Sequence, residues 1–361
     1  MSDDAAGPPA PRPPRRPRYR GTHPRRFAEK YKERDPERHP ETTAKVEASG
    51  KTPAGSHRPI LVAEVLAALR PEPGETAVDA TLGHGGHAEA LLPRLLPDGR
   101  LIGLDVDPIE RPKTERRLRA LGFGPEVLAV RASNFAGLPK VLAAEGLATV
   151  DLVLADLGVS SMQLDDPARG FTFKEDGPLD LRMNPDRGLP ASALLARLDT
   201  AKLARLLREN SDEPHAEEIA TAVVEAGRTE PVTTTARLAE AIREALAPLP
   251  ARVRAEEGTA PLSRVFQALR IAVNEEFTAL DAFLAALPSC LAPGGRAAIL
   301  TFHSGEDRRV KQAFRDGERA GLYASVAREV IRAGPEERRA NPRASAAKLR
   351  WAVRAVAPPG V

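Results

Sequence analysis

From residue 58 onward, apolar positions recur in two alternating rhythms. Ile60-Leu61-Val62-Ala63-Glu64-Val65-Leu66-Ala67-Ala68-Leu69 has the spacing of an amphipathic helix and is stopped by Pro71. Short apolar runs then alternate with helical ones. Strands are expected at Thr76–Asp79, Arg100–Asp105, Val127–Arg131 and Val150–Asp156, and helices at Ala88–Leu95, Ile109–Leu121 and Leu138–Glu145. This alternation predicts βαβ units with right-handed crossovers around a buried parallel sheet. The strand ends would then lie along one edge, where open α/β folds bind ligands.

The rhythm breaks after Asp156. Residues 164–262 contain no convincing buried strand, only a loop rich in Gly, Pro and Asp followed by helical patterns at Ala201–Arg208, Ala216–Ala226 and Thr235–Leu246. The α/β pattern returns with a long helix, Arg264–Leu287, a strand at Arg296–Phe302, a helix after Ser304 and a last strand at Leu349–Val356. The expected organisation is therefore an α/β domain formed by residues 57–163 and 263–361, with 164–262 inserted as a helical domain for substrate recognition. On the long helix, Phe266, Leu269, Val273, Phe277, Leu280 and Leu284 form an apolar stripe. Gln267, Arg270 and Asn274 form a polar stripe, which either faces solvent or faces a substrate cleft between the two domains.

Composition narrows the class. Among 361 residues, 42% are apolar and 29% charged, the balance of an ordinary globular protein. The single cysteine, Cys290, excludes an internal disulfide framework and a thiolate metal cluster. With no apolar stretch near the roughly 18 residues that span a bilayer and no secretory apolar core, a cytoplasmic protein without a membrane partner is expected. The net charge of +3 is unevenly spread, since residues 1–58 hold 14 Lys/Arg, 8 Asp/Glu and 10 of the 34 prolines. Such a segment cannot offset its ordering entropy by apolar burial, so residues 1–56 read as a disordered basic arm, either a solvated tail or a phosphate-contacting one.

The strongest local chemical signal is Val78-Asp79-Ala80-Thr81-Leu82-Gly83-His84-Gly85-Gly86-His87, where a strand ends and a glycine-rich turn opens a helix. Such a turn lets backbone approach a ligand, and the helix start offers N–H donors. Asp105 ends the second strand 20 residues after Gly85, where a carboxylate can take both hydroxyls of a ribose. Two cofactor classes satisfy this pattern, nicotinamide dinucleotides and S-adenosylmethionine. Asp79 favours the second, because a carboxylate repels a pyrophosphate but accommodates an ammonium and a sulfonium. Asn134-Phe135 follows the third strand, placed to stack on or bond an adenine, or to fill the core. Asp156 ends the fourth strand, beside the methyl donor and an incoming nucleophile if it is not simply solvated. The histidines have no metal-ligand spacing, so no metal is expected. His303 either lines the site or is structural. Arg338, Arg339 and Arg343, with Lys348 and Arg350, make a second candidate phosphate-binding region. A nicotinamide-dependent dehydrogenase and a non-catalytic RNA-binding platform remain alternatives at this point.

Several strings resemble one family. His57-Arg58-Pro59-Ile60-Leu61, the Asp79–His87 turn, Asp156-Leu157-Gly158-Val159-Ser160-Ser161 with Gln163-Leu164-Asp165, and Arg169-Gly170-Phe171-Thr172-Phe173 occur in order. Asp176-Gly177-Pro178-Leu179-Asp180-Leu181-Arg182-Met183, Phe266-Gln267-Ala268-Leu269-Arg270-Ile271-Ala272-Val273-Asn274 and Phe302-His303-Ser304 follow. Together they resemble the RsmH (MraW) family of bacterial methyltransferases that modify a cytosine N4 in small-subunit ribosomal RNA. The segment before His57 lies outside these motifs. The resemblance implies a class I (Rossmann-like) methyltransferase sheet with an inserted helical domain. It also implies S-adenosylmethionine contacts at Gly85, Gly86, His87, Asp105, Phe135, Asp156 and Gln163. The implied partner is 16S ribosomal RNA within the small subunit, at a cytidine near the P site. A homodimer is left open. Asp156 or nearby backbone carbonyls are the candidate acceptors for the amino proton; Phe171 or Phe173 either stacks on the base or fills the core, and Gln267, Arg270, Asn274 and His303 are further substrate-side candidates. Ala260-Pro261-Leu262-Ser263, Ser211-Asp212-Glu213-Pro214, Gly305 and Ser345 depart from the family pattern, outside the donor-contact set.

Overall fold

The run Val150-Asp151-Leu152-Val153-Leu154-Ala155-Asp156 carries apolar side chains on both faces, which suits only a sheet covered on both sides. A computed structural model, which describes residues 59–160, 163–164 and 166–356, has such a sheet. The basic arm, His57 and Arg58 lie outside the described residues. Helix α1 (Val62–Leu69) leads into β1 (Thr76–Asp79), α2 (Gly86–Leu95), β2 (Arg100–Leu104), α3 (Arg111–Ala120), β3 (Leu128–Arg131), α4 (Leu138–Ala144) and β4 (Val150–Asp156). These bounds fall within two residues of the pattern read from the sequence. On one face of the sheet, Leu152 and Leu154 pack with Val65 and Leu69 of α1 and with Leu91 and Leu92 of α2. On the other, Val153 and Ala155 meet Leu138 and Leu142 of α4. Each such leucine contributes about 1.5–3 kcal/mol on burial.

The insertion contains α5 (Ala191–Leu195), α6 (Thr200–Ser211), α7 (Ala216–Thr229), α8 (Thr235–Leu246), α9 (Ala251–Glu257) and α10 (Ala260–Asn274). The sheet domain resumes with α11 (Glu276–Cys290), β5 (Leu291–Thr301), α12 (Ser304–Arg319), β6 (Tyr323–Val326), α13 (Pro335–Ala340) and β7 (Lys348–Arg354). The strand order is β3-β2-β1-β4-β5-β7-β6. β1 to β5 run parallel, while β7 is antiparallel to both β5 and β6. β6, a four-residue strand at the sheet edge, has no counterpart in the apolar pattern.

The expected single helix Arg264–Leu287 is two helices. Glu275 adopts the left-handed conformation, φ 52°, and divides α10 from α11. The expected stripe divides with it. Phe266 and Leu269 join Leu203, Leu207, Ile219, Val223, Leu238 and Ile242 in the insertion's own core, whereas Leu280 and Leu284 join the sheet core. The insertion's packing thus continues past residue 262 to the break at Glu275. Arg270 and Glu276 brace that break with two hydrogen bonds of 2.7 and 2.8 Å.

Candidate functional site

The strand order reverses around β1 and β4, so their carboxyl ends open into a crevice. Its volume is about 1300 Å³, and the insertion walls its far side. The glycine turn forms its floor. Gly85, at φ 73°, caps α2, and α3 holds the turn from behind. Thr114 Oγ1 donates to the Gly83 carbonyl at 2.6 Å, and Arg117 Nη2 donates to the His84 carbonyl at 2.6 Å. On the crevice side, the Gly83 N–H donates to Asp105 Oδ2 at 2.9 Å, and the Asp107 N–H donates to Oδ1 at 2.7 Å. Asp105 is therefore fixed by two backbone donors at the mouth of β2.

Acidic groups dominate the floor. Asp79 is 1% exposed and accepts the Thr81 N–H at 3.1 Å. Burial pushes its carboxyl up to about 6, against the pull of His87. Burial likewise pushes Asp105 up to about 7, with the charges of Asp107 and Asp79 adding to it and the two backbone donors opposing. His87, in the first turn of α2, is buried with Nε2 3.5 Å from Asp156 Oδ2. Burial disfavours its protonated form, but Asp156, then Asp79 and Glu337, outweigh this and hold the imidazole above its ordinary value. The Asp156 N–H donates to Thr81 Oγ1 at 2.6 Å, which fixes the end of β4. Asp156 Oδ1 is buried at the crevice with no hydrogen-bond partner among the described residues.

Gly85, Gly86, His87, Asp105, Phe135, Asp156 and Gln163 all line this one crevice. Phe135 sits edge-on to Phe283, ring centres 5.5 Å apart, and leaves part of its ring to the cavity. Gln163 accepts the Ser160 N–H and donates from Nε2 to Asp107 at 2.7 Å. Arg270 and Asn274 also line the crevice.

The other substrate-side candidates are placed elsewhere. Phe171 is 5% exposed in the insertion core, and Phe173 packs edge-on against Phe266 at 5.5 Å. Neither lines the crevice; of the two expected roles, stacking or core, this placement favours packing, with Phe171 in the insertion core and Phe173 half-buried against it. Gln267 points away and donates to the Asn210 carbonyl at 3.3 Å. His303 is set between the Phe277 ring and Glu306, 3.2 Å from Oε1, behind the wall. The proposed second basic region is also reduced. Arg350 is buried on Asp307 at 2.7 Å, and Lys348 lies 3.5 Å from the same carboxylate. Arg338 and Arg339 remain exposed on α13, next to Asn341 and Arg343, which line the crevice.

Sequence reasoning missed Asp107, Arg169, Lys140 and Arg187. Lys140 of α4 and Arg187 of the insertion are exposed on the crevice rim. Nothing in the spacing marks them, because the banks of the crevice meet only in the tertiary fold. Among the described residues, no group of three or more His, Cys, Asp or Glu is placed to hold a metal ion, and no helix is long and apolar enough to cross a membrane.

A five-strand parallel core flanked by an antiparallel β7, with an acidic strand-end crevice and a glycine turn, defines a class I methyltransferase, whose cofactor is S-adenosylmethionine. The chain's own residues fit that cofactor. Carboxylates suit its cationic ammonium and sulfonium, whereas the same acids at the start of α2 would repel a pyrophosphate.

Within that class the chain belongs to the MraW methylase family, whose model matches residues 54–355. It is 51% identical over 342 residues to ribosomal RNA small subunit methyltransferase H 1 of Lachnoclostridium phytofermentans, covering 94% of this chain and 93% of that one. It is 48% identical to ribosomal RNA small subunit methyltransferase H 2 of Alkaliphilus metalliredigens, over 94% and 97% of the two chains. Residues 57–361 are too few to account for 94% of the chain, so these relatives also align with part of the basic arm. The motif-based view that the arm lies outside the resemblance is corrected accordingly. Among solved structures, the chain matches an rRNA methylase from Streptococcus thermophilus at TM-score 0.34 and 12% identity, over 81% of this chain and 93% of that one.

Proposed function

We propose that this protein transfers a methyl group from S-adenosylmethionine to the N4 amino group of a cytidine in 16S ribosomal RNA, in the P-site region of the small subunit. The relatives named above support the ribosomal substrate, and the family motifs support the N4 position. The observation that carries the chemistry is Asp156: a buried carboxylate oxygen at the crevice, with no hydrogen-bond partner among the described residues.

Gly85, Gly86, His87, Asp105, Phe135 and Gln163 would hold the donor, which when bound supplies an electrophilic methyl carbon on sulfur. Asp105 offers its carboxylate to a ribose, and Phe135 its ring to a base. A cytosine amino group is a weak nucleophile, because its lone pair is delocalised into the ring. Positioning therefore supplies much of the rate, up to about 7–11 kcal/mol for reactants held in line. The target must leave its stack to reach the crevice, and the exposed Lys140 and Arg187 sit where they can take the flanking phosphates. As the amino nitrogen forms its fourth bond it sheds a proton, and Asp156 Oδ1 accepts it.

The decisive experiment incubates the purified protein and donor with small subunits lacking the modification, followed by mass spectrometry of the digested RNA. The expected product is a single cytidine methylated on its amino group. A methyl group on another base, or on cytosine C5, overturns the N4 reading; no incorporation overturns the enzyme reading.

Two further outcomes follow from electrostatics. Asp105 accepts both ribose hydroxyls fully only when ionised, and its carboxyl is held up near 7, so donor affinity rises with pH. Below about pH 7 the donor's Kd should weaken by about tenfold per unit, while Asp105 titrates. Calorimetric titration at pH 5.5, 6.5 and 7.5 measures this, and a flat profile would show that the ionised Asp105 carboxylate does not hold the donor. The rim cations act on RNA instead. Lys140→Ala and Arg187→Ala should each lower the slope of log affinity against log salt by about 1, without changing donor binding. An unaltered salt slope in both variants removes the rim from the RNA path.

A further inference from the structure

Two side chains outside the proposed donor set tie the two banks of the crevice together. Asp107, in the loop just beyond β2, is 1% exposed. Its Oδ1 accepts the N–H groups of Ile109 at 2.8 Å and Glu110 at 3.1 Å. Its Oδ2 accepts Gln163 Nε2 at 2.7 Å and Arg169 Nη1 at 2.9 Å. Both oxygens are thus doubly engaged, so Asp107 has no capacity left for donor or substrate. Burial raises the cost of its charge, but Arg169 and the Gln163 hydrogen bond hold the carboxyl below its ordinary value.

Arg169 comes from the insertion. Its second arm, Nη2, donates to the carbonyls of Arg182 at 3.2 Å and Met183 at 2.9 Å. The Met183 N–H in turn donates to Asn274 Oδ1 at 2.7 Å. Met183, Asn184, Asp186, Arg187 and Gly188 form the insertion's edge of the crevice. One guanidinium therefore joins the strand end that carries Asp105 to the loop that faces the substrate. Its planar fork reaches a carboxylate and two carbonyls at once, which a single ammonium cannot do.

We propose that Asp107 and Arg169 are positioning residues for methyl transfer: a buried ion pair that sets Gln163 on the donor side and residues 181–188 on the RNA side at a fixed separation. This rests on the function proposed above. Asp107 holds both sides, whereas Arg169 holds only the RNA side, and that asymmetry separates a positioning role from a general loss of stability. A displacement of about 1 Å in such a frame is enough to cost on the order of a hundredfold in rate.

The test uses the full-length protein and two variants, Arg169→Lys and Asp107→Asn. Affinity for S-adenosylmethionine is measured by calorimetry without RNA. Affinity for unmodified small subunits is measured by filter binding without donor, and thermal unfolding is followed in parallel. Arg169→Lys keeps a positive charge on Asp107 but releases the two carbonyls. It should weaken subunit binding by about tenfold while donor affinity stays within about twofold. Asp107→Asn turns an acceptor into a donor facing two other donors, and should weaken both affinities by about tenfold or more. Wild-type affinity for subunits in Arg169→Lys overturns the proposal. So does an equal loss of both affinities in Arg169→Lys together with a lowered unfolding temperature, since that is a structural role alone. If the wild type methylates subunits and both variants match it, only the positioning pair fails; if the wild type binds no donor, the functional reading fails with it.

Discussion

Asp156→Asn should lower the turnover of methyl transfer by about 10²–10⁴-fold, the range spanned by a single well-placed acid or base. The substitution changes no volume, and the Asp156 N–H remains anchored on Thr81 Oγ1 at 2.6 Å, so the end of β4 keeps its place. What changes is proton affinity. In one amide orientation an NH2 group faces the amino group of the target, donor against donor. In the other a neutral carbonyl oxygen faces it, and that oxygen does not retain a proton. Both lose the acceptor that Oδ1 provides. The neighbour responds too. Once the Asp156 charge is removed, only Asp79 and Glu337 oppose the burial of His87, so its imidazole should titrate at lower pH. Single-turnover rates at saturating donor, calorimetric donor affinity and the His87 titration by NMR together isolate the effect. Unchanged turnover with unchanged donor affinity would remove Asp156 from the chemistry.

The parts of this site that the sequence made legible are those that depend on local geometry. A strand ending in Asp79, a turn of glycines and a helix start are contiguous, so their juxtaposition follows from the chain path alone. Asp105, Asn134-Phe135 and Asp156 were legible because parallel strands with right-handed crossovers deliver their ends to one edge. Legibility stopped where a side chain's role depends on what another segment brings to it. The break between α10 and α11 occurs at Asn274-Glu275-Glu276, with neither glycine nor proline to mark it, and periodicity ran straight through. The polar stripe was read as one face, yet Gln267 serves the insertion, Asn274 holds the 181–183 loop and Arg270 pairs with Glu276. Phe171 and Phe173 have the composition of a stacking platform, and only the insertion's packing places Phe171 in its core and Phe173 half-buried against it. Asp107 was hidden for the opposite reason. Its partners Gln163 and Arg169 lie 56 and 62 residues away, so a carboxylate two positions from Asp105 carried no signal of its own.

Gly85→Val should abolish measurable donor binding, with a loss of at least about a hundredfold, or roughly 2.7 kcal/mol. Two independent costs combine. At φ 73° the backbone is left-handed, where a β-branched side chain is strained by about 1–2 kcal/mol. A Cβ at this position would also lie 2.9 Å from Thr114 Cγ2 and 3.1 Å from Leu118 Cδ1, an overpacking cost of about 1–3 kcal/mol. Neither neighbour can easily retreat. Thr114 is tied to the Gly83 carbonyl, and Leu118 is fully buried in the sheet core. The turn is therefore the part that moves, and it carries the Gly83 N–H away from Asp105 and the N–H groups of α2 away from the crevice. Gly74→Ala provides the control, because Gly74 is also left-handed, at φ 87°, but a Cβ there meets nothing within 4 Å and the residue is outside the crevice. It should cost about 1 kcal/mol of stability and leave donor affinity intact. Calorimetry on both variants, with thermal unfolding alongside, separates backbone strain as such from strain at the site. If Gly85→Val binds S-adenosylmethionine within about threefold of the wild type, the donor is not held by this turn, and the crevice floor must be assigned to another ligand.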